Sequence, residues 1–117
     1  LFRSMGMFGK SMTITDGDWT LHQSPVDDNA PLYWHGYHLA RFIGYELGPF
    51  ENGRRPVSNC MSWDAPTSLH DKRSDPNELV NVAEREPDML RTMQHRLYGE
   101  LARLRAPAWQ VERLGLR

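Results

Sequence analysis

A turn-rich segment at residues 69–83, set between an extended stretch and a helical one, constrains the fold of this chain most. The segment begins within an extended stretch, residues 67–71, which has the composition of a strand. Asp75, Pro76 and Asn77 have turn chemistry, because aspartate accepts local backbone N–H groups, proline fixes φ, and asparagine tolerates unusual φ and ψ angles. The segment is therefore predicted to connect a sheet to a helix.

The polar side chains of this segment are interpreted as a scaffold rather than as a reactive site. Four of them lie close together in the sequence: His70, Asp71, Asp75 and Glu78. Their setting in a turn predicts that Asp75 and Asn81 accept backbone N–H groups. Apolar anchors are predicted at Leu79, Val80, Val82 and Ala83, with Leu79 and Val82 holding the segment to the core.

The residues after this segment predict one long helix, from about residue 87 to residue 106. Pro87 suits the first helical position, Asp88 complements the positive end of the helix dipole, and Pro107 prevents continuation. Apolar residues recur at intervals of three and four and predict one stripe that faces the sheet: Met89, Leu90, Met93, Leu97, Leu101 and Leu104.

A β-hairpin is predicted at residues 11–22. Asp16-Gly17 is a dipeptide favoured in two-residue type I′ turns, and the residues on either side alternate between apolar and polar. This turn would pair Ile14 with Trp19 and would place the apolar residues of both strands on one face. The other face would carry the polar residues Ser11, Thr13, Thr20 and His22.

Residues 24–66 give a weaker pattern, because prolines and glycines interrupt them repeatedly. We expect one or two strands between Leu32 and Met61, followed by the strand at 67–71. The whole is predicted to be an α+β domain, in which a small antiparallel sheet of about four strands, with the hairpin at its start, packs against one long carboxyl-terminal helix. Dense aromatic residues at 32–50 predict that this segment packs against another surface.

Length, charge and cysteine count limit which kinds of fold and partner the sequence supports. The chain has 117 residues, enough for one domain with a real core. It carries 15 acidic and 14 basic residues, a net charge of −1 and a pI near 6.6, so charge gives no case for a nucleic acid or an anionic membrane. A single cysteine, Cys60, excludes an internal disulfide. The chain begins Leu-Phe-Arg, and we expect it to be a piece of a longer protein.

Cys60 and the pair Asp27-Asp28 could each have a chemical role, but a structural role is favoured for both. Cys60 could act as a nucleophile, but its neighbours Asn59 and Met61 offer no base to activate it, so a packed cysteine is favoured. Asp27-Asp28 could bind calcium or magnesium. Two carboxylates are too few ligands for such an ion, and a solvated turn is favoured.

Other candidates involve histidines and cations. His35 and His38 have a spacing that can share a metal on a helix, but a glycine between them weakens that helix, so surface histidines are favoured. Arg54-Arg55 could hold an anion bidentately, and Lys10 before the hairpin could contact one. Single cations near glycines are common on surfaces, which makes both signals weak.

The segment at 69–83 resembles the carboxyl-terminal region of arylsulfatase-like sulfatases of the alkaline-phosphatase superfamily. There, a strand reading Leu-Tyr-Asp-Leu is followed by Asp-Pro-x-Glu-x-x-Asn-Leu-Ala and a helix. The matching residues here are Leu69, Asp71, Asp75, Pro76, Glu78, Asn81 and Ala83. Residues 14–19 resemble the Val-Thr-Asp-Gly-x-Tyr hairpin of some members, and residues 106–116 resemble the tail of the same subgroup. The resemblance spans about 8–116 in the right order, and it thins at 24–66.

The resemblance implies a carboxyl-terminal subdomain without turnover of its own. Sulfatases hydrolyse sulfate esters with a formylglycine made from the first residue of a Cys/Ser-x-Pro-x-Arg motif, beside a calcium site, both in a large amino-terminal domain. Cys60 is not followed by that motif, and His70 stands where an aromatic residue is usual. The formylglycine and the calcium ion would therefore belong to a catalytic domain of the same polypeptide. This chain would stabilise that domain and line the substrate cleft, with Lys10 nominated at the rim.

Two other functions stay open. A free-standing interaction module would use the aromatic residues at 32–50 to bind a protein partner. A small metal-binding protein would use His35 and His38 and would carry stoichiometric metal, which we do not expect. If the chain is a sulfatase subdomain, we expect some self-association of the isolated chain, because it would expose aromatic surface that the catalytic domain normally covers.

Overall fold

The fold combines a small antiparallel sheet with two helices, which confirms the predicted α+β class. The computed structural model describes residues 3–6, 9–26, 29–35, 40–42, 45–47, 54–56 and 65–116. The strands are β1 (Arg3–Gly6), β2 (Met12–Thr15), β3 (Trp19–Gln23), β4 (Tyr33–His35), β5 (Ala40–Phe42), β6 (Tyr45–Leu47), β7 (Arg54–Pro56) and β8 (Ser68–Asp71). The helices are α1 (Pro87–Arg103) and α2 (Ala108–Arg113). Neither helix within these ranges has the length and the apolar character that a membrane span requires.

The main sheet has four antiparallel strands in the order β1-β2-β3-β8. The predicted number of strands is right, but their origin differs. The fourth strand is β1, which the sequence pattern did not indicate. The one or two strands expected between Leu32 and Met61 are, in the described residues, four short ones, and they form two separate two-stranded sheets by pairing β4 with β7 and β5 with β6.

The hairpin of β2 and β3 forms where predicted, but the predicted register is wrong by two residues. Ile14 pairs with Leu21 rather than with Trp19. The turn is centred on Gly17 and Asp18, and Gly17 takes a φ of +98° in the first central position, the place that glycine holds in type II′ turns. Because strand side chains alternate with a period of two, an even displacement leaves each side chain on its predicted face.

The hydrophobic core lies between one face of the main sheet and α1. The sheet contributes the fully buried Ile14, Leu21 and Leu69. Helix α1 contributes Met93, Leu97 and Leu101, and the carboxyl-terminal segment contributes Val111 of α2 and Leu114 directly after it. Each such side chain stabilises the fold by about 1.5–3 kcal/mol relative to exposure. Leu104 was predicted to belong to the apolar stripe and is instead 57% exposed, because α1 ends at Arg103 and not at residue 106.

Both helices end in the same backbone arrangement, a Schellman motif, with different residues in its left-handed position. After α1, Arg105 has a φ of +54°, and the next N–H donates to the Leu101 carbonyl at 2.8 Å. After α2, Gly115 has a φ of +63°, and the next N–H donates to the Val111 carbonyl at 3.2 Å. Glycine adopts this conformation freely, whereas the Cβ of a residue such as Arg105 makes it cost about 1–2 kcal/mol.

Asp16 closes the hairpin turn and links it to α1. One carboxylate oxygen accepts the N–H groups of Asp18 at 3.1 Å and Trp19 at 2.8 Å, and the other forms an ion pair with Arg96. Burial alone would raise the pKa of Asp16, but the two N–H groups and the Arg96 guanidinium outweigh it and hold that pKa below its ordinary value of 3.8.

Arg105→Gly is expected to stabilise the protein by about 0.5–1 kcal/mol, because glycine relieves the left-handed strain at the end of α1. Gly115→Ala at the end of α2 should destabilise it by a similar amount, since the added Cβ would lie 3.3 Å from Cγ1 of Val26 in the same strained conformation. Chemical denaturation measures both. Arg105→Ala is the matched control, which removes the side chain and keeps the strain, so a gain equal to that of the glycine variant would contradict the strain argument.

Asp16→Asn is expected to lower the free energy of unfolding at pH 7 by about 1 kcal/mol, a modest figure because the ion pair with Arg96 is partly solvated. A carboxyl whose pKa is lowered by folding stabilises above its ordinary pKa and loses that contribution as the pH falls through the folded-state value. The difference between the wild type and Asp16→Asn should therefore be constant from pH 7 to about pH 5 and shrink between about pH 5 and pH 2. Denaturation curves at each pH test this, and a difference that is independent of pH would refute the assignment.

Candidate functional site

On strands β2, β3 and β8, the face of the main sheet that points away from α1 is polar. The strand pairing creates two cross-strand rows, Thr13–His22–Ser68 and Thr15–Thr20–His70. We call these six residues the polar face. Thr20 and His70 are 4% and 7% exposed, so part of this face is covered although it lies outside the hydrophobic core.

The cover is the segment that follows β8, and its path is set by Asp75. The two carboxylate oxygens of Asp75 accept the N–H groups of Leu79 at 3.0 Å and Val80 at 2.9 Å. These two bonds hold the pKa of Asp75 below its ordinary value. Glu78, inside this closed turn, has a φ of +55°, in the left-handed region that residues other than glycine seldom adopt. The turn thereby directs the Glu78 carboxylate back to the polar face.

Asn81 fastens the end of the segment to the edge of the sheet. Its side-chain oxygen accepts the N–H groups of Leu69 and Ala83, each at 3.0 Å, and its amide donates to the Thr67 carbonyl at 3.3 Å. The N–H of Val82 donates to the Leu69 carbonyl at 2.8 Å. The hydrogen bonds of Asp75 and Asn81 are those that the sequence predicted for the connection between sheet and helix.

The prediction that Leu79 and Val80 anchor the segment is wrong. Leu79 is 81% exposed and Val80 is 48% exposed. Val82 and Ala83 pack against the core, as predicted. The physical reason is the left-handed residue Glu78, which turns its own side chain toward the sheet and leaves the two following apolar side chains on the outer side.

His22 joins the segment to the sheet through both ring nitrogens. Nε2 lies 2.8 Å from Oε2 of Glu78, and Nδ1 lies 2.8 Å from Oγ1 of Thr13. A carboxylate only accepts hydrogen bonds, so the neutral ring carries its proton on Nε2 and accepts the threonine hydroxyl at Nδ1. Both polar atoms of this half-buried side chain are thereby satisfied.

His70 is held in the same manner one strand away. Nδ1 lies 2.8 Å from the Val80 carbonyl, which only accepts, so the neutral ring carries its proton there. Nε2 lies 3.1 Å from Oγ of Ser68, and a carboxylate oxygen of Asp75 is 3.8 Å from Nδ1. The His70 and His22 rings meet edge to face, with centroids 5.6 Å apart.

Glu78 completes a three-residue group with the two histidines. One nitrogen of His22, one nitrogen of His70 and one carboxylate oxygen of Glu78 all lie within 4.8 Å of one another. Lys72 lies on the other carboxylate oxygen, at 3.3 Å. Burial alone would raise the pKa of Glu78, but hydrogen bonds from His22, Lys72 and Thr20 keep it below its ordinary value of 4.5. The carboxylate is therefore ionised at neutral pH. We call His22, His70 and Glu78 the His–His–Glu cluster.

The sequence predicts the parts of this cluster separately. Its alternation predicts His22 on the polar face of the hairpin, and its turn chemistry predicts a scaffold role for His70 and Glu78. The signal that could have joined them is the alternation in β8, where Leu69 faces the core and His70 must then face the same side as His22 once β8 pairs with β3.

The structure places Lys10 at the opposite end of β2 from the hairpin turn. Its backbone carbonyl accepts a hydrogen bond from Nη2 of Arg113 at 3.2 Å, and its side-chain Nζ is buried. Arg113 is 1% exposed and also donates to Oδ1 of Asn29 at 2.8 Å and Oε1 of Gln110 at 3.1 Å. This neighbourhood therefore ties α2 to the turn before β2.

The remaining sequence candidates are not described at the level of side chains. Cys60, His38 and the pair Asp27-Asp28 lie outside the described residues. His35 belongs to β4, and Arg54 and Arg55 belong to β7; these strands pair with each other. Their predicted roles stay predictions.

Comparisons with known proteins do not supply a family. The chain matches no protein-family model, no curated protein and no solved structure.

Asn81→Ala is expected to lower the free energy of unfolding by about 1–2 kcal/mol, because the N–H groups of Leu69 and Ala83 lose their acceptor. Asn81→Asp keeps an oxygen that accepts both N–H groups, with charge-assisted bonds, but sets a second carboxylate oxygen against the Thr67 carbonyl. Because two bonds are kept and one is lost, it should cost less than Asn81→Ala. Equilibrium urea unfolding compares the two variants. Equal losses in both, or no loss in Asn81→Ala, would show that this side chain does not hold the segment.

Proposed function

We propose that this chain is the carboxyl-terminal subdomain of a sulfatase-like hydrolase of sulfate esters. In this role it stabilises the catalytic domain of the same polypeptide and lines the substrate cleft. The formylglycine and the calcium ion belong to that catalytic domain, and this chain has no turnover of its own.

The observation that supports the proposal most is the backbone path at 69–83. The residues that carry the resemblance to sulfatases include Asp75, whose carboxylate closes the turn, and Asn81, which fastens the segment to the sheet edge. The path leads from the edge strand β8 into α1, as the resemblance implies. The similarity thus falls on residues that determine the fold.

A second feature that favours the proposal is the outer surface of the same segment. Leu79 and Val80 are adjacent, apolar and exposed, at 81% and 48%. Exposed apolar side chains that adjoin each other suit an interface with a neighbouring domain. In the isolated chain, the same surface is expected to favour self-association.

Lys10 stays the residue nominated for contact with an anion at the cleft rim. Its backbone is fixed by Arg113, which gives the nomination a rigid base. Its buried Nζ means that such a contact requires the side chain to turn outward.

The alternative function, a free-standing interaction module, depends on the aromatic segment at 32–50. Within the described residues, Tyr33 packs edge to face on Trp109 of the carboxyl-terminal tail, with ring centroids 5.4 Å apart. Tyr33 is therefore engaged in a contact within the chain and is less available to bind a protein partner. The sulfatase-subdomain proposal therefore has the stronger support.

The reading frame upstream of Leu1 tests the proposal directly. We expect it to encode a large domain with a Cys/Ser-x-Pro-x-Arg motif and aspartate and asparagine ligands for calcium. A complete frame without that motif would rule out a sulfatase and leave the interaction module. As a control on the fold argument, the large domain expressed without residues 1–117 should be unstable or insoluble, while the complete polypeptide should fold.

A further inference from the structure

We propose that the His–His–Glu cluster binds a divalent transition-metal ion of the zinc class. The inference goes beyond the proposed function, because it concerns a site within this chain and needs no catalytic domain. It rests on three donor side chains brought together from β3, β8 and the segment that covers the polar face.

The donor set suits zinc. Two imidazole nitrogens and one carboxylate oxygen form the ligand set of zinc sites that keep a fourth position open. Zinc ligands lie about 2.0–2.2 Å from the ion, so ligand atoms around it are about 3.4 Å apart. Here the three ligand atoms lie within 4.8 Å of one another, and Nε2 of His22 is 2.8 Å from Oε2 of Glu78. Adjustments of about 1 Å in side chains therefore suffice to place all three around one ion.

The groups behind the histidines are those that orient metal-binding imidazoles. A histidine that binds a metal through one nitrogen usually donates its other N–H to an oxygen atom. His70 donates from Nδ1 to the Val80 carbonyl, and its Nε2 accepts from the Ser68 hydroxyl at 3.1 Å, a hydrogen bond that a metal ion on Nε2 would have to replace. His22 has the Thr13 hydroxyl on Nδ1, and a hydroxyl can accept as well as donate. When a metal replaces the proton on Nε2 of His22, that ring can therefore donate to Thr13.

The backbone conformation at Glu78 fixes the position of its carboxylate beside the histidines. Glu78 is in the left-handed conformation at φ +55°, and Asp75 secures it through the next two N–H groups. A strained residue of this kind persists only where its surroundings impose it. This conformation brings the Glu78 carboxylate to 2.8 Å from Nε2 of His22 and within 4.8 Å of a ring nitrogen of His70.

Lys72 is the group that opposes a metal ion. Its ammonium lies 3.3 Å from the Glu78 oxygen that does not face His22, and it donates to the Pro76 carbonyl at 2.7 Å. A metal ion on Glu78 would be repelled by this charge. Removal of the charge should therefore tighten metal binding, which a merely structural network does not predict.

The test is titration of the purified 117-residue chain with Zn²⁺ by calorimetry, and with Co²⁺ by visible absorption. We expect one saturable site, a higher melting temperature with zinc, and the absorption of four-coordinate cobalt. Glu78→Gln, which keeps a hydrogen-bond acceptor for His22, should weaken binding about tenfold or more. Lys72→Gln should tighten it about fivefold, the effect expected of one nearby charge at a protein surface.

Matched controls separate this cluster from other histidines. His95→Gln changes an exposed histidine of α1 and should leave the affinity unchanged. The double variant His35→Gln/His38→Gln removes the pair predicted from sequence and should also leave it unchanged. Circular dichroism confirms that each variant is folded, and Lys72→Gln remains informative if Glu78→Gln is not.

The proposal is overturned if the chain binds no zinc at 1:1 stoichiometry, if the affinity falls in the His35/His38 double variant and not in Glu78→Gln, or if Lys72→Gln leaves it unchanged. None of these outcomes bears on the sulfatase proposal, whose test concerns the upstream reading frame.

Discussion

The structure depends on one long-range pairing, that of β3 with β8. Leu21 opposes Leu69 in this pairing, and both face α1, so the two strands together supply the floor of the core. The neighbouring pair, Thr20 opposite His70, points to the other face of the sheet. The same set of backbone hydrogen bonds therefore creates the apolar face that holds the helix and the polar face that holds the His–His–Glu cluster. A slip of one residue would destroy both at once.

The elements that could be predicted from sequence are those determined by interactions between residues close together in the chain. The proline and the apolar spacing of α1 are local signals, and so are the turn residue Gly17 and the carboxylate of Asp75, which finds its N–H partners within five residues. The hairpin register was missed because Gly17 can occupy either central position of a two-residue turn, and the two alternatives differ by an even displacement that keeps the same faces. Strand β1 was missed because the four residues Arg3–Gly6 carry no clear alternation.

The candidate site could not be predicted in the same way, because its geometry joins three separate levels of structure. His22 reaches Glu78 across 56 residues of sequence, through a strand pairing, a closed turn and one left-handed residue. Each of these has a recognisable cause, but the left-handed state of Glu78 has no signal in its own residue type. For the same reason the anchoring role given to Leu79 was wrong: a single backbone dihedral exchanged which side chain faces the sheet.

The contacts of Asn81 and Val82 have a consequence for how the sheet ends. An edge strand offers unpaired N–H and C=O groups on which a foreign strand can add and begin aggregation. On β8, the N–H of Leu69 is taken by Asn81, and its carbonyl is taken by Val82. The middle of this sheet edge is thus covered by residues 81–82 of the same chain. A second molecule that added a strand at this edge would first have to displace residues 81–82 from β8.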